Sequence, residues 1–318
     1  MLLKDIEELA KDSEDIYILG HMNPDGDCVG ATLALAMLLN KKGIRANVLL
    51  KDVPSTYHFL PLGKWIVDKE PTKVDLLISL DCGDVTRFGE FQKCIDKAKT
   101  IINIDHHFSN TNFGKYNYVV SAASSTCEII YDMIDDKSLV DVDIATALYT
   151  GIVYDTGIFK HSCTTQNTHN IAGSLITYGV DFTEIISKLF FYKSLTGLRA
   201  QSKAIENLQM FSLDKIALTY LTRNEIQSLN ATKKHTESIV QMLNEIENIE
   251  CSVFIYETDL HEHKVSLRSK GAVNVCEVAQ YFGGGGHKNA SGFCLEGHLS
   301  TVMQKIISVI NEQLVMSS

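Results

Sequence analysis

Four largely apolar runs constrain this chain more than any other feature: IYIL at 16–19, ANVLL at 46–50, VDLLISL at 74–80 and TIINI at 100–104. Runs that are apolar at nearly every position, not at every second one, are strands buried on both faces, as in a parallel sheet covered by helices. Between the first two lies ATLALAMLLNKKG, a helix closed at its C-terminal end by Gly43. This alternation predicts an α/β domain built on a doubly wound, mainly parallel sheet. Helical segments follow at 124–134, 143–155 and 165–179, so the first domain is expected over 1–194.

Leu198, Ile205 and Leu208 then recur at helical spacing with polar residues between them, which predicts a helical linker over 195–212. A second alternation begins after it. Strands are expected at 215–221 and in a hairpin over 251–270, with a helix between them at 237–246. A helix in VNVCEVAQYF, a glycine run, a strand in ASGFCLEG and an amphipathic helix over 300–314 complete a smaller C-terminal α/β domain, 213–318. Two domains also suit a chain of 318 residues.

A net charge of −10 excludes the broad basic face that coats long nucleic acid, because that affinity comes from many Lys and Arg neutralising phosphates. Short phosphorylated ligands stay compatible with it, since bound divalent cations would set the local field. The eight cysteines are scattered with no CxxC pair, which reads as free thiols in a reducing compartment. The N-terminal stretch carries acids and lacks a signal-peptide core. No apolar run approaches the ~18 to 20 residues needed to cross a bilayer. The expected location is cytoplasmic, with no membrane partner.

The chemistry gathers where the apolar runs stop. GHMNPDGDCVG, residues 20–30, follows the first strand and presents His21, Asp25 and Asp27. Ligands of open α/β sheets sit at the carboxyl ends of strands. A Pro-Asp-Gly turn with an Asp helix cap accounts for this motif alone equally well. Further ligands decide between the two: VDLLISL runs into Asp81, TIINI runs into Asp105, His106 and His107, and GIVYDTGIF carries Asp155. Carboxylates with a few imidazoles suit Mn²⁺, Mg²⁺ or Fe²⁺ better than a thiolate-rich structural zinc site. Cys28 and Cys82 read as spectators. In the second domain, YFGGGGHKNASG offers a glycine-rich loop, which is not a Walker loop because no GK[ST] follows.

The order HxxxDxD, then Asp81, then DHH at 105–107, then Asp155, resembles the DHH phosphoesterase superfamily, which includes RecJ-like exonucleases, oligoribonucleases and family II pyrophosphatases. The resemblance implies two divalent metal ions, Mn²⁺ first, with Mg²⁺ or Fe²⁺ as alternatives. One would be held by His21, Asp25 and Asp81, the other by Asp27, Asp81, His106 and Asp155, with Asp81 shared. Asp105 would orient the histidine pair, and His107 would face the substrate phosphate or leaving group. The choice between His106 and His107 as ligand comes from the family, since spacing does not decide it.

KVSLRSK followed by a helix and GGGGHKNASG is similar to the DHH-associated domain, which implies that Arg268, Ser269, the backbone of Gly284, Gly285 and Gly286, and His287 bind the nucleotide end of the substrate. The pairing of domains resembles oligoribonuclease and pAp phosphatase members. The implied substrates are short RNA oligonucleotides, linear dinucleotides such as pApA, and 3'-phosphoadenosine 5'-phosphate; a homodimer is the implied assembly. The alternatives are a RecJ-like single-strand DNA exonuclease, which needs an additional nucleic-acid channel, and a non-catalytic nucleotide-binding module, which has no need of every metal position.

Overall fold

The computed structural model describes residues 1–316; residues 317 and 318, the end of the expected second domain, lie outside the described residues. The chain divides into two compact units, residues 1–192 and 193–318.

In the first unit the four apolar runs become β1 (Ile16–Leu19), β2 (Asn47–Leu49), β4 (Val74–Leu80) and β5 (Ala98–Asp105), joined by the short β3 (Ile66–Val67) and β6 (Tyr116–Val119). Every neighbouring pair in this sheet is parallel, in the order β3-β2-β1-β4-β5-β6. Every residue of β4 is buried, as its unbroken apolar pattern requires. The helix Gly26–Lys41 is buried continuously from Gly26 to Leu39. A helix that is apolar all round must be covered on all sides, and Thr126–Met133 and Val142–Asp155 pack against it.

The strand order reverses between β1 and β4, so the chain leaves these two neighbours toward opposite edges of the sheet. The crevice outside their carboxyl ends is where doubly wound sheets bind ligands. His21 follows β1 by two residues, Asp81 follows β4 directly, and Asp105 ends β5.

The second unit is a mixed sheet of β7 (Gln209–Phe211), β8 (Ile216–Leu221), β9 (Cys251–Asp259), β10 (Glu262–Ser269), β11 (Gly285–His287) and β12 (Ala290–Glu296), ordered β11-β12-β10-β9-β8-β7. Only β8 and β9 run parallel; the other pairs are antiparallel. Val253, Ile255, Val265, Leu267 and Phe293 from one face of the sheet form a core with Val275, Val278, Val302, Ile306 and Ile310 from the helices Val275–Tyr281 and Leu299–Met316.

The segment 195–212 differs from the linker expected of it. Its helix Leu195–Glu206 buries Ala200 and Ala204 against Leu221, Ile226, Ile239, Val240 and Phe254, and the rest supplies edge strand β7. The helix thus packs into the core of the second unit, and β7 pairs at the edge of its sheet. The glycine run also differs from a free loop, because half of it is β11, paired with β12.

Candidate active site

Asp25 caps a helix with one oxygen and turns the other toward His21. Its Oδ1 accepts from the amides of Asp27 and Cys28, each at 3.1 Å, as the N-cap of the helix Gly26–Lys41. Its Oδ2 faces His21 Nε2 at 3.8 Å. His21 Nδ1 lies 2.9 Å from the Met22 carbonyl, a contact that requires Nδ1 to carry a proton and turns Nε2 toward Asp25 and Asp81.

Asp81 stands at the centre. Its Oδ2 is 3.5 Å from His21 Nε2 and its Oδ1 is 3.5 Å from His106 Nε2. His106 Nε2 is in turn 3.2 Å from Asp155 Oδ2. Asp27, wholly buried, docks on the N-terminus of the helix Thr126–Met133: the Thr126 amide donates to Oδ2 at 2.6 Å and the Cys127 amide to Oδ1 at 2.9 Å. The Thr126 hydroxyl reaches Asp81 Oδ1 at 3.3 Å.

The two histidines of the pair have different partners. His107 Nδ1 is 2.7 Å from Asp105 Oδ1, while Asp105 Oδ2 takes the Asn110 amide at 2.6 Å. With Nδ1 committed to the carboxylate, His107 has Nε2 available, and its side chain is about one-third exposed at 34%. Burial alone would raise the Asp105 carboxyl, but the hydrogen bonds from His107 and Asn110 outweigh it and hold it low.

Four carboxylates, Asp25, Asp27, Asp81 and Asp155, thus converge, and none pairs with Lys or Arg among the described residues. Burial and the neighbouring acids raise Asp81, and burial with Asp155 alongside raises Asp27. Burial alone would lower the His21 and His106 imidazoles. Hydrogen bonds to Asp25 and Asp155 respectively prevail and carry each up to about 10. Crowded acids of this kind draw protons onto His21 and His106, and divalent cations would supply that positive charge in their place.

The donors fit divalent cations. Oxygen and nitrogen ligands bound at about 2.1 Å stand roughly 3.0 to 3.5 Å apart around one ion, and the contacts above run from 3.2 to 3.8 Å. Three sets place ligand atoms within 4.8 Å of one another: His21, Cys28 and Asp81; Asp81, His106 and His107; Asp27, His106 and Asp155. Burial pushes the Cys28 thiol up to about 12.

Residues 15–152 match the model of the DHH family, N-terminal domain, and residues 214–316 match that of the DHHA1 domain. A Streptococcus mutans protein named as a probable bifunctional oligoribonuclease and PAP phosphatase NrnA is 32% identical over 300 residues, covering 91% of this chain and 92% of that protein. This chain belongs to the DHH family. A Thermus thermophilus bifunctional oligoribonuclease and PAP phosphatase NrnA is 29% identical over 304 residues, 94% of this chain and 90% of its own. The crystal structure of an exopolyphosphatase-related protein from Bacteroides fragilis shares the fold, with a TM-score of 0.87 at 24% identity over 99% of this chain and 97% of that one. DHH phosphoesterases are metal-dependent, in keeping with the donor clusters of the first unit.

In the DHHA1 domain the register of the sheet sorts the remaining candidates. His287, Ala290 and Arg268 lie in one row across β11, β12 and β10, so their side chains share a face, with Arg268 about 10 Å from His287 at two strand spacings. The next row, Gly285, Gly292 and Ser266, is small throughout and leaves the floor between them open. Arg268 is half-buried; it donates to the Leu267 carbonyl at 2.9 Å and forms no ion pair among the described residues.

Ser269 does not join Arg268. One step along a strand reverses the face, and Ser269 is buried on the core side, where its hydroxyl accepts from the amides of Gly271 at 3.0 Å and Val273 at 3.3 Å. The Gly284 amide is likewise committed, donating to the Ala279 carbonyl at 2.8 Å. A Cβ at Gly284 would collide with the Gly292 carbonyl and Phe293, and one at Gly286 would meet the Ala290 carbonyl at 2.5 Å. Close approach to β12 therefore explains these two glycines.

The sequence reading missed three contributors: Asn110 and the amides of Thr126 and Cys127. Asn110 was visible beside the DHH residues. The amides carry no residue-type signature, although the Ser125-x-x-Glu128 pattern marks the helix start that presents them.

Proposed function

We propose that this chain hydrolyses phosphoester bonds of short oligoribonucleotides, of linear dinucleotides such as pApA, and of 3'-phosphoadenosine 5'-phosphate, using two divalent cations. His21, Asp25 and Asp81 would hold one ion; Asp27, Asp81, His106 and Asp155 would hold the other. The observation that carries this reading is Asp81, whose two oxygens face two different histidines, each at 3.5 Å. Mn²⁺ is the first choice for such oxygen and imidazole donors, ahead of Mg²⁺ and Fe²⁺. Divalent ions in paired sites activate water and neutralise charge on phosphoryl oxygens.

The residues of the chain divide the remaining work. Asp105 fixes the His107 ring through Nδ1, which aims Nε2 at the substrate, where it can donate to the leaving oxygen or to a nonbridging one. In the second unit Arg268 and His287 flank a floor of small residues, a surface suited to a terminal phosphate or nucleotide. The planar fork of Arg268 matches phosphate oxygens in a way that Lys does not. The Gly284 amide is spent, so contacts from the glycine run fall to those groups of Gly285, Gly286 and His287 that the pairing with β12 leaves open. The eight cysteines are all free, which accords with a reducing cytoplasm, and no helix among the described residues is long and apolar enough to cross a membrane. A homodimer is part of the proposal, and light scattering reads it directly.

The deciding experiment offers the purified chain, with Mn²⁺, pApA, longer RNA, single-stranded DNA, 3'-phosphoadenosine 5'-phosphate and pyrophosphate. Turnover of the first and fourth, with little of the rest, is the expected result. Activity confined to long single-stranded DNA would put the chain with RecJ-like exonucleases, and binding of nucleotides without turnover would make it a non-catalytic module.

A further inference from the structure

Asp27 and Asp81 are both held by one helix end. The Thr126 and Cys127 amides take the two oxygens of Asp27, and the Thr126 hydroxyl takes Oδ1 of Asp81. Whatever fixes the start of the helix Thr126–Met133 therefore fixes two carboxylates of the site. Ser125 caps this helix, its hydroxyl accepting from the Glu128 amide at 3.1 Å.

The side chain of Glu128 goes elsewhere. In a capping box the acid at this position accepts from the amide of the cap residue itself. Here it accepts from the residue before the cap, from the Ser124 amide at 3.3 Å and the Ser124 hydroxyl at 2.5 Å. It also accepts from the Thr168 hydroxyl at 2.8 Å and the Asn167 side-chain amide at 3.1 Å, both on the helix Gln166–Ile176. Glu128 is only 3% exposed and has no Lys or Arg partner among the described residues.

A buried carboxylate without a cation is costly, and an apolar side chain of similar volume would fill the same space without that cost. What the carboxylate alone provides is a point where four donors from two segments meet. It ties the 124–126 turn to the neighbouring helix and so sets where the Thr126 and Cys127 groups point.

We propose that Glu128 is a positioning residue for one of the two cation sites. It touches neither ion nor substrate; it acts through the helix end on Asp27 and on Oδ1 of Asp81. The set of Asp27, Asp81, His106 and Asp155 should depend on it, while the set of His21, Asp25 and Asp81, reached through Oδ2, should depend on it little. The inference rests on the metal reading given under the proposed function.

The test is calorimetric titration of metal-stripped full-length protein with Mn²⁺, for the parent, Glu128→Ala, Glu128→Gln and Ser124→Ala. Loss of an outer-shell partner weakens metal binding by about 10- to 100-fold. That loss is expected in Glu128→Ala at one of two sites. Ser124→Ala should shift the same site less. Glu128→Gln, whose carbonyl can still meet the Ser124 and Thr168 donors, should bind close to the parent. If Glu128→Ala does not fold, Ser124→Ala decides: parental affinity at both sites overturns the proposal. Equal weakening of both sites, or none in any variant, overturns it as well and leaves Glu128 a packing residue. A parent that binds no Mn²⁺ overturns the metal reading first, and this inference with it.

Discussion

Asp81 has a left-handed backbone, with φ of 56°, a conformation that costs a non-glycine residue roughly 1–3 kcal/mol. The fold sustains it through the Asp81 amide, which donates to the Ile104 carbonyl at 3.1 Å, and through the histidines on either side of the carboxylate. Asp81→Asn is expected to lower turnover of pApA by about 100-fold or more and to weaken Mn²⁺ binding at both sites, beyond the usual effect of an outer-shell change. Two sites of parental affinity in a calorimetric titration would refute the shared role. Because the variant removes one of four crowded negative charges, it should also melt at a higher temperature than the parent in EDTA. Asp105 makes a different prediction, since its side chain holds His107 and Asn110 and touches a proposed ligand only at the backbone amide of His106, which donates to Oδ1 at 2.9 Å. Asp105→Asn should reduce kcat roughly 10- to 100-fold on 3'-phosphoadenosine 5'-phosphate with unchanged Mn²⁺ stoichiometry. The loss should shrink for a p-nitrophenyl ester, whose leaving group needs no proton; an equal loss on both would exclude protonation of the leaving oxygen by His107.

At the scale of elements, the site depends on close packing of the helices Gly26–Lys41, Thr126–Met133 and Val142–Asp155. A Cβ at Gly151 would stand 2.6 Å from Asp27 Oδ1 and would also collide with Cys127 Sγ. Gly151→Ala must therefore displace the Asp27 carboxylate or its helix, and overpacking of this kind costs about 1–3 kcal/mol. Urea denaturation should show that loss and Mn²⁺ titration a weakened site; unchanged binding would mean the helices part without moving Asp27. The long elements were legible in the sequence because β4 is apolar along most of its length, β5 carries the apolar TIINI, and the helix Gly26–Lys41 is a long apolar run closed by Gly43. β3, β6, β7 and β11 were not. β6 reads YNYV with two exposed residues, β3 has two residues, and β11 lies in a glycine run that carries no periodicity. Edge strands of this kind are set by the neighbour they pair with. The metal candidates were legible because each stands beside a readable strand or helix end. Ser269 was misplaced because a motif names adjacent residues while a strand sends them to opposite faces.

Each unit carries its own core, and the boundary between Tyr192 and Lys193 makes a prediction that a linker over 195–212 would not. Ala200 and Ala204 bury against Leu221, Ile239, Val240 and Phe254, while Leu208 packs beside Ala217, Leu243 and Ile249. Polar contacts reinforce this. Asn207 donates from its side-chain amide to the Tyr220 carbonyl at 3.1 Å, Gln201 donates to the Ser238 hydroxyl at 2.9 Å, and the Thr219 hydroxyl donates to the Ala204 carbonyl. A fragment of residues 193–318 should fold alone, with cooperative thermal unfolding and dispersed amide resonances. A fragment of residues 213–318 should not. It loses β7 from the edge of the sheet and uncovers Leu221, Ile239 and Phe254. A small domain has only about 5–15 kcal/mol of net stability to lose. Circular dichroism with thermal melts on the two fragments separates the alternatives: equal melting temperatures would return 195–212 to the status of a linker, and an unfolded shorter fragment would make it part of the second unit's core.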